Sequence, residues 1–433
     1  MKIKRVLACF MALAMLATSA VGCSSGKTSS TAGTATSGTA AASTATESTA
    51  AAGEKVTLTL WDYFEGVNSQ KGVKALVTAF NASQSKVEVK AVFTPRDEMD
   101  KQLSIGLVSN KLPDLVLIDG CDYASRISMG LFADVTDNFN KDFGSKVDDF
   151  YAGPLETCKT GDKYYGIPFG CNDLGFYYNK DMFKDAGIAN APTTWAEMTA
   201  DCAKLSKNGV YGLAVSAIKN DEGSFQFMPW LYSTGATYDK VNSTEAIKSL
   251  TLLQDYVTKG YMSKEAINWT QADAEKQFAT GKAAMMLNGP WNIETVQTDA
   301  PKLNFGVVEI PKDVKFASVT GGEDMGIIKG HHEAEGWEFL KFTADNALTY
   351  IDDMGYIPST KSLAAKDTAL QNNPLMKPFV TILDYATPRG PSAQWPKVSA
   401  ALYTAEQQVM TNQKTPTDAA NEAQTAIDAA LKK

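Results

Sequence analysis

The sequence predicts an α/β fold with two lobes. Strands and amphipathic helices alternate from Val56 onward, which is typical of a largely parallel sheet with helices packed against it. The run Leu115–Ile118 is apolar without interruption, as in a parallel strand that is buried on both faces. The segment from about Lys55 to Lys433 is too long for a single compact core, and this length favours two lobes.

The first lobe is predicted from five successive elements. In the first strand Val56, Leu58 and Leu60 alternate with threonines, and a polar, aromatic loop follows. The next elements are a helix with Val73, Leu76, Val77 and Phe80 on one face, the strand Val87–Phe93, the helix Met99–Leu107 and the strand Leu115–Ile118. In sheets of this kind ligands bind beyond the carboxyl ends of the strands. The loops Trp61–Glu65 and Asp119–Tyr123 are therefore candidates for a binding site.

The rest of the chain is predicted to be mostly helical, with three more strands. Thr194 is predicted to cap a helix that starts at Trp195, with Glu197 as its capping-box partner. Further helices are predicted at Ala246–Thr258, at Ala272–Gly281, near Glu333 and from Ser399 onward. The strands are predicted at Ala283–Leu287, Asn304–Val308 and Phe316–Val319. The first of these runs into Gly289-Pro290 and leaves Trp291 at a turn. There Trp291 either folds back over the core or forms the wall of a ligand site.

The first 53 residues predict a signal peptide followed by a tether. Basic residues followed by the apolar run Val6–Leu16 predict a signal peptide over residues 1–22. Ala20–Cys23 resembles the cleavage box of bacterial lipoproteins, in which Cys23 would carry the lipid; an ordinary signal peptide with a chance cysteine is the alternative. Residues 24–53 are Ser, Thr, Ala and Gly with one lysine and one glutamate, which predicts a flexible tether. We therefore expect a lipid anchor at the extracytoplasmic face of the cell membrane.

Charge and cysteine content narrow the possible partners only in part. The net charge is −8, and removal of residues 1–22, which carry three basic and no acidic residues, leaves −11. An acidic protein of this kind is a poor match for nucleic acid or anionic lipid. Cys121, Cys158, Cys171 and Cys202 show no metal-binding spacing, and both disulfides and isolated buried thiols remain open for them.

Aromatic and acidic residues follow two predicted strands of the first lobe. Trp61, Asp62 and Glu65 come after the first strand, and an aromatic face beside carboxylates suits a sugar, whose C–H face stacks while its hydroxyls donate. The alternative is that Trp61 covers the end of the sheet and the acids are solvated. Asp119 follows the buried strand and is predicted to face a ligand. Asp122 is better explained as the N-cap of the next helix.

Two further tryptophans and one arginine are candidates as well. Trp230 is retained as a candidate ligand contact, although its helical, apolar neighbourhood favours burial in the core. Trp395 lies in a Pro- and Gly-rich segment with few neighbours that could cover it, which predicts an exposed contact residue. Arg389 could pair with a carboxylate or donate to hydroxyls. The adjacent His331 and His332 are predicted to lie at a solvated helix start rather than at a metal site.

Motifs of catalysis are not evident in the sequence. It contains no GxSxG, HExxH or P-loop pattern, and its only two histidines are neighbours. This favours a protein that binds without chemistry, and no cofactor or metal is expected. A glycosidase needs only two facing carboxylates, however, so a carbohydrate-active enzyme stays open as the alternative.

A series of stretches in a fixed order covers nearly the whole chain from Lys55. They read LTLWDYF, LPDLVLIDG, GIPFG, GFYYNKDMFKDAGI, APTTWAEM, FATGKAAMMLNGPW, GWEFLKFTA, GYIPST and TPRGPSAQWPKV. In this order they resemble the extracellular solute-binding proteins of ABC importers, in the group that includes maltose-binding protein. The resemblance implies a periplasmic-binding-protein-like fold, with a ligand cleft between two α/β lobes and hinge crossovers that join them.

The resemblance also implies where the chain divides between the lobes. The N-terminal lobe would comprise residues 54–168 and 320–370, and the C-terminal lobe residues 169–319 and 371–433. The crossings are predicted near Ile167–Tyr178, Phe316–Ile328 and Ala364–Met376.

Site residues follow from the resemblance position by position. Trp291 falls at the aromatic wall of the family's ligand site, and Trp395 at a second stacking position. Asn172 takes a hinge position where the maltose-binding member has an acid. The other positions that fall on ligand-contacting segments are Trp61, Asp62 and Glu65 on the first-strand loop, Asp119 after PDLVLI, and Gly322, Glu323 and Asp324 at the second crossing.

The expected function is therefore solute capture for an ABC sugar importer. A monomer tethered to the membrane would close on a mono- or oligosaccharide and deliver it to permease subunits. The alternatives are an anchored carbohydrate-active enzyme, a receptor-facing sensor, or a binding protein for a non-sugar solute such as glycerol phosphate, peptide or polyamine.

Overall fold

The computed structural model describes residues 55–432 except Glu65, Asn110 and Pro391, and it describes the backbone but not the side chain of Asp97. These residues belong to one compact unit. The predicted signal peptide over residues 1–22, the lipidation site Cys23 and the tether lie outside the described residues and stay predictions. No helix within residues 55–432 is long and apolar enough to cross a membrane.

The strands and helices have the following bounds. The strands are β1 (Val56–Asp62), β2 (Val87–Phe93), β3 (Leu115–Asp119), β4 (Lys159–Thr160), β5 (Lys163–Tyr164), β6 (Ile167–Asp173), β7 (Gly175–Asn179), β8 (Tyr211–Ala214), β9 (Ala283–Asn288), β10 (Phe305–Val308), β11 (Val319–Ile327) and β12 (Thr387–Pro388). The helices are α1 (Val67–Ser83), α2 (Arg96–Ser109), α3 (Gly120–Ser128), α4 (Thr136–Phe143), α5 (Ala152–Thr157), α6 (Lys180–Asp185), α7 (Trp195–Leu205), α8 (Asp221–Ser233), α9 (Thr244–Thr258), α10 (Gln271–Ala279), α11 (Asn292–Asp299), α12 (Glu333–Asp345), α13 (Lys361–Lys366), α14 (Thr368–Asn372), α15 (Lys377–Leu383), α16 (Trp395–Met410) and α17 (Pro416–Leu431). Short 3-10 helices span Gly144–Asp149, Lys264–Asn268, Ala347–Thr349 and Asp352–Met354.

The sheet of the first lobe has six strands. Its order is β12-β11-β3-β1-β2, and β6 pairs with β11 as well. Strands β1, β2 and β3 are parallel, so their carboxyl ends meet at one edge. Strand β11 runs antiparallel to β3 and to β6, and it brings Glu323 opposite Asp119. The carboxyl edge of the parallel strands therefore carries acidic residues from both β3 and β11.

The sheet of the second lobe has four strands in the order β10-β7-β9-β8. Strand β7 is antiparallel to β9 and β10, and β8 is parallel to β9. Strand β6 belongs to the first sheet and ends at Asp173, and β7 begins in the second sheet at Gly175. The chain thus passes from one sheet to the other within one residue at Leu174, inside the first predicted crossing.

Each lobe has its own apolar core. Leu58, Leu117 and Phe339 belong to a cluster around the first sheet, all fully buried. Trp230, Leu287 and Leu402 belong to a second cluster, in which α8, α9 and α16 pack together. The two-lobed α/β architecture follows from these separate cores. The predicted lobe boundaries in the sequence remain a proposal.

Several local predictions can be compared with the structure. The capping box of Thr194 and Glu197 is confirmed at the start of α7. The strand predicted at Phe316–Val319 is wrong, because β11 spans Val319–Ile327: it pairs with β12 from Val319, with β6 from Thr320 and with β3 up to Ile327. The N-cap predicted at Asp122 is also wrong, since the carboxylate of Asp119 accepts the Cys121 amide there.

The glycine at the second crossing has no room for a side chain. Gly322 lies in β11 with φ of +112°, where L side chains are strained. A Cβ on Gly322 would come within 2.1 Å of the Gly170 carbonyl oxygen on the paired strand. The carbonyl oxygen of Gly170 cannot move away without disrupting the backbone pairing between β11 and β6. The close pairing of the two strands at the crossing therefore requires glycine.

We expect Gly322→Ala to lower the free energy of unfolding by about 3 kcal/mol, because backbone strain and a steric clash add. Gly187→Ala is the matched control: Gly187 has φ of +68° with nothing within 4 Å of its added Cβ. Its cost should be only about 1 kcal/mol, the strain term alone. Urea unfolding of both variants measures the difference, and equal losses would contradict the clash at Gly322.

Candidate functional site

A cavity of about 1020 Å³ lies at the carboxyl edge of the first sheet. Tyr63 and Asp119 line it from the first lobe, and Phe225 and Trp291 line it from the second. The size is at the upper end of ligand pockets for small molecules, which measure about 300–1000 Å³. At its exposed rim the side chain of Asn68 in α1 donates to Glu294 in α11 at 2.7 Å. The cavity is thus a cleft between the lobes with one hydrogen bond across its mouth.

One wall of the cleft is aromatic. Strand β9 ends at Asn288, and Trp291 precedes the first residue of α11. The indole ring lies over Gly289, where an added Cβ would come 1.9 Å from ring atom Cζ3. Phe225 from α8 lies nearly parallel to Trp291, with the ring centroids 6.4 Å apart and the planes 19° apart. Gly289 therefore makes space for the ring, and the partly buried Trp291 presents an apolar face to the cleft.

The floor of the cleft is a network of ion pairs. Arg389 donates to Asp119 at 2.6 Å and to Asp221 at 3.1 Å, so one guanidinium connects the end of β3 with the start of α8. Arg96, at the start of α2, donates to the other oxygen of Asp119 at 2.9 Å. The Arg389 guanidinium also lies 4.2 Å above the ring centroid of Phe225. Burial of Asp119 would raise its pKa, but Arg389 and Arg96 outweigh burial and hold the pKa well below its usual range.

Glu323 contrasts with Asp119, the residue opposite it in the sheet. Its Oε1 accepts hydrogen bonds from the hydroxyls of Tyr63 at 2.7 Å and Tyr356 at 3.1 Å. Burial, with the nearby charge of Asp119 as a second cause, raises the pKa of Glu323 to about 7. No guanidinium is bonded to this carboxylate among the described contacts. Two neighbouring carboxyls thus have pKa values shifted in opposite directions.

Four buried polar atoms of residues in the cleft wall have no partner among the described residues. They are two acceptors, Asn172 Oδ1 and Glu323 Oε2, and two donors, Gln271 Nε2 and Arg389 Nε. Buried polar groups in proteins are nearly always hydrogen-bonded. The residues of the cleft wall therefore include two acceptor atoms and two donor atoms that have no partner among the described residues.

Six of the twelve predicted site residues line the cleft, and five others lie outside its wall. The predicted residues in the cleft wall are Asp119, Asn172, Trp291, Gly322, Glu323 and Arg389. The described residues that were predicted and are not in the wall are Trp61, Asp62, Trp230, Asp324 and Trp395. Glu65 lies outside the described residues, so its predicted contact stays a prediction.

Burial explains most of the residues that do not line the cleft. Asp62 is fully buried and accepts from the Phe64 amide and the Gln70 side chain, so it shapes its own loop. Trp61 packs beside the small core around Tyr123. Asp324 is buried next to Glu323 in β11, and burial raises its pKa well above the usual range.

Two of the predicted tryptophans belong to the core of the second lobe. Trp230 is 1% exposed, in agreement with the alternative of core burial. Trp395 was predicted to be exposed in a loop, and this is wrong: it is 0% exposed and begins α16. Tyr238 covers its ring edge-on at 5.9 Å, and its indole nitrogen donates to Asp221 at 3.2 Å. Trp395 therefore lies outside the cleft wall and contacts the wall residue Asp221 through its indole nitrogen.

Six cleft residues to which the structure gives a role were not predicted: Tyr63, Arg96, Asp221, Phe225, Gln271 and Tyr356. Arg96 follows β2, so the rule of strand carboxyl ends that selected Asp119 could have selected it too. Tyr63 lies inside the candidate loop Trp61–Glu65. Asp221 and Phe225 lie at the start of a helix far along the chain, and no sequence signal relates them to the first lobe.

Cysteines and histidines contribute no site of their own in the part of the chain that is described. Cys121, Cys158, Cys171 and Cys202 are all buried and unpaired, which answers the open question between disulfides and isolated thiols. His332 Nδ1 lies 2.7 Å from Asp114 Oδ1, away from the cleft. The described residues bring three potential metal ligands together at Asp119, Cys121 and Asp221. Arg389 already bonds both of these carboxylates.

Comparisons with known proteins agree with this architecture. A sequence model of the family described as bacterial extracellular solute-binding proteins matches residues 75–378. The galactooligosaccharide-binding protein of Bacillus subtilis is 22% identical over 439 residues, covering 98% of this chain and 96% of that protein. The maltotriose-binding protein of Pyrococcus abyssi is 25% identical over 339 residues, covering 73% and 70%.

A solved structure gives the same result for the fold. The solute-binding protein of an ABC transporter from Thermotoga lettingae TMO, bound with α-D-tagatose, has a TM-score of 0.77 at 24% identity. The similarity covers 87% of this chain and 100% of that one. Since the family match spans well over half of the sequence, and the two-lobed fold with its cleft is shared, the chain belongs to the bacterial extracellular solute-binding proteins.

Proposed function

We propose that this protein is the substrate-binding component of an ABC sugar importer. It captures a mono- or oligosaccharide in the cleft and delivers it to permease subunits in the membrane. The names of the relatives, which bind galactooligosaccharide and maltotriose, support a sugar as the ligand class. The protein would act by binding alone, with no cofactor and no covalent step.

One observation carries this proposal: an aromatic face and four residues that each hold an unpartnered polar atom line the same cleft. A saccharide offers a C–H face that can stack on Trp291, and each of its hydroxyls both donates and accepts. Asn172 Oδ1 and Glu323 Oε2 would accept from ligand hydroxyls, and Gln271 Nε2 and Arg389 Nε would donate to them. A purely apolar ligand would leave these atoms unsatisfied, at a cost of about 1–3 kcal/mol for each.

Binding would be coupled to movement of the lobes. The cleft wall takes residues from both lobes, and strands β6 and β11 lie where the chain passes between the two sheets. Small changes of backbone angle at such crossings can rotate whole lobes. A ligand that contacts both lobes favours the closed arrangement, because it makes contacts there that it does not make in the open arrangement. We assign residues 54–168 and 320–370 to one moving body, and 169–319 and 371–433 to the other.

The attachment to the membrane is a separate part of the proposal. Residues 1–22 would be cleaved, Cys23 would carry the lipid, and residues 24–53 would tether the binding protein at the extracytoplasmic face. A monomer on a flexible tether can reach a permease in the same membrane. Mass spectrometry of the membrane fraction would detect the lipid on the N-terminal peptide, and substitution Cys23→Ser should release the protein.

The sugar-binding proposal is tested by thermal-shift screening of the protein against mono- and oligosaccharides, followed by calorimetry of the hits. A saccharide that raises the melting temperature and is recovered unaltered by chromatography is the expected result. Recovery of a cleaved saccharide would instead establish the enzyme alternative. If only glycerol phosphate, peptides or polyamines stabilised the protein, the sugar assignment would be wrong.

A further inference from the structure

A turn of the backbone holds Trp291 in the cleft wall. The Asn292 amide donates to the Gly289 carbonyl at 3.2 Å, so Pro290 and Trp291 occupy the two central positions of the turn. Proline favours the first of these positions, because its ring fixes φ near the value that the turn needs. The indole lies back over Gly289. The direction of the indole therefore depends on how this turn is attached to the rest of the second lobe.

Tyr177 attaches the turn to the core of the second lobe. Its hydroxyl donates to the Gly289 carbonyl at 2.7 Å, so this oxygen accepts one hydrogen bond from within the turn and one from strand β7. Three phenylalanine rings surround the ring of Tyr177, which is fully buried and is not part of the cleft wall. Loss of the hydroxyl would leave the buried carbonyl oxygen with one partner fewer.

Asn288 attaches the turn from its N-terminal side. Its Oδ1 accepts from the Gly289 amide at 3.0 Å and from Asn292 Nδ2 at 2.7 Å. Its Nδ2 donates to the Gln271 carbonyl at 2.9 Å. An amide group turned the other way would face an N–H with its own N–H and a carbonyl with its own oxygen, so these bonds fix its orientation. Asn288 is fully buried and, like Tyr177, is not part of the cleft wall.

The hydrogen bonds of Asn288 also connect the other segments of the second-lobe wall. Gln271 begins α10, and its backbone amide donates to Glu222 Oε2, near the start of α8, at 2.9 Å. Gln271 and Glu222 line the cleft, and so does Asn292 at the start of α11. The starts of three wall helices are therefore connected by hydrogen bonds that pass through one buried side chain.

We propose that Asn288 and Tyr177 are positioning residues of the saccharide site, which fix the direction of Trp291 without contacting the ligand. Their effect on affinity rests on the proposed sugar-binding function, whereas their effect on the indole needs no ligand. A sugar ring stacks on an aromatic face only where the face lies at the right distance and angle. A wall that already has the bound geometry loses less conformational freedom when the ligand binds.

The first measurement is the affinity for the best saccharide from the screen, by calorimetry. Tyr177→Phe removes one hydroxyl and keeps the ring, so we expect the dissociation constant to rise about three- to tenfold, as for one lost hydrogen bond. Asn288→Ala removes several hydrogen bonds and should raise it further. In the Trp291→Ala background Tyr177→Phe should change the dissociation constant by less than about twofold, because no indole is left to position.

Tyr123→Phe is the matched control. Tyr123 is also fully buried, and its hydroxyl donates to the Tyr165 carbonyl at 3.0 Å in the first lobe, outside the cleft wall. Urea unfolding should show a loss of stability similar to that of Tyr177→Phe, because each variant loses one buried hydrogen bond. The affinity of Tyr123→Phe for the saccharide should stay unchanged.

The second measurement reports on the indole directly and needs no ligand. The chain has seven tryptophans, so labelling with fluorotryptophan gives few enough fluorine resonances to follow each one by NMR. Trp291→Phe identifies the resonance of Trp291 by its absence. We expect Tyr177→Phe and Asn288→Ala to shift this resonance, and Tyr123→Phe to leave it in place.

The outcomes are distinguishable. If the Trp291 resonance stays in place in both variants, or if Tyr177→Phe weakens binding as much without the indole as with it, the positioning role is wrong and the sugar-binding proposal stands. An equal loss of affinity in Tyr123→Phe would also contradict the positioning role. If the resonance shifts but no saccharide binds, these residues do fix the indole and the sugar-binding function is wrong.

Discussion

Trp291→Ala is expected to weaken saccharide binding by about 2–4 kcal/mol, roughly 30- to 1000-fold, as for a central aromatic contact in a binding site. The indole is part of the cleft wall, and it lies nearly parallel to Phe225. Alanine would remove the stacking face that Trp291 presents to the ligand from the second lobe. Calorimetry with the best saccharide from the screen measures the loss.

Stability should change less than binding in this variant. Trp291 is partly exposed, whereas truncation of a fully buried large aromatic costs about 3–5 kcal/mol. Trp61→Ala is the matched control, since Trp61 is also partly buried but is not in the cleft wall. The Trp61→Ala variant should bind the saccharide with the same affinity as the unchanged protein. If Trp291→Ala binds normally and unfolds easily instead, Trp291 only covers the core.

Arg389→Met should lower the free energy of unfolding by about 3–5 kcal/mol, the loss typical of a buried ion pair that loses one partner. The side chain of Arg389 is 5% exposed and that of its partner Asp119 is 9% exposed, so the ion pair is buried. Methionine fills a similar volume but removes the guanidinium from Asp221 and leaves Arg96 as the remaining guanidinium at Asp119. Urea unfolding at pH 7 measures the loss.

The pH dependence of this loss follows from the direction of the pKa shift. Arg389 holds the pKa of Asp119 below its usual range. The pairing therefore stabilises the fold fully at pH values above the usual carboxyl pKa, and this stabilisation is lost as the pH falls through the pKa of Asp119 in the folded state. The difference between Arg389→Met and the unchanged protein should therefore shrink in acid. Asp119→Asn combined with Arg389→Met should recover part of the stability.

A surface pair serves as the control for Arg389. Lys163 donates to Asp134 at 2.7 Å, and both side chains are exposed. Exposed pairs contribute little, because water screens the charges. Lys163→Met should therefore leave the unfolding midpoint almost unchanged. If Lys163→Met lowered the free energy of unfolding as much as Arg389→Met does, burial of the ion pair would not explain the loss in Arg389→Met.

The sequence predicted those parts of the fold and the site that depend on local pattern. Alternation of apolar residues identified β1, and an uninterrupted apolar run identified β3. Asp119 and Trp291 were found because each follows a strand that ends abruptly, and such ends collect at one edge of a sheet. The length of the chain and the separate helical region were enough to indicate a second lobe.

Residues whose roles depend on distant contacts could not be predicted in this way. Trp395 looked exposed from its Pro- and Gly-rich neighbours, but Tyr238, more than a hundred residues away in the chain, covers it. Asp221 and Phe225 reach the cleft only because Arg389 and Trp291 come to them from other parts of the chain. Local pattern carries no signal for contacts at such separations.

The hydrogen bond between Asn68 and Glu294 has a consequence for how sensitive the protein is to its ligand. It joins two exposed side chains at the mouth of the cleft, so its strength adds to the fraction of unliganded molecules that are closed. The apparent dissociation constant is the intrinsic one divided by the fraction that can bind. An effect of this pair that acts through closure alone would scale the affinity for every ligand by one factor. Evolution could therefore adjust the concentration threshold for uptake at the mouth and leave the recognition chemistry of the floor untouched.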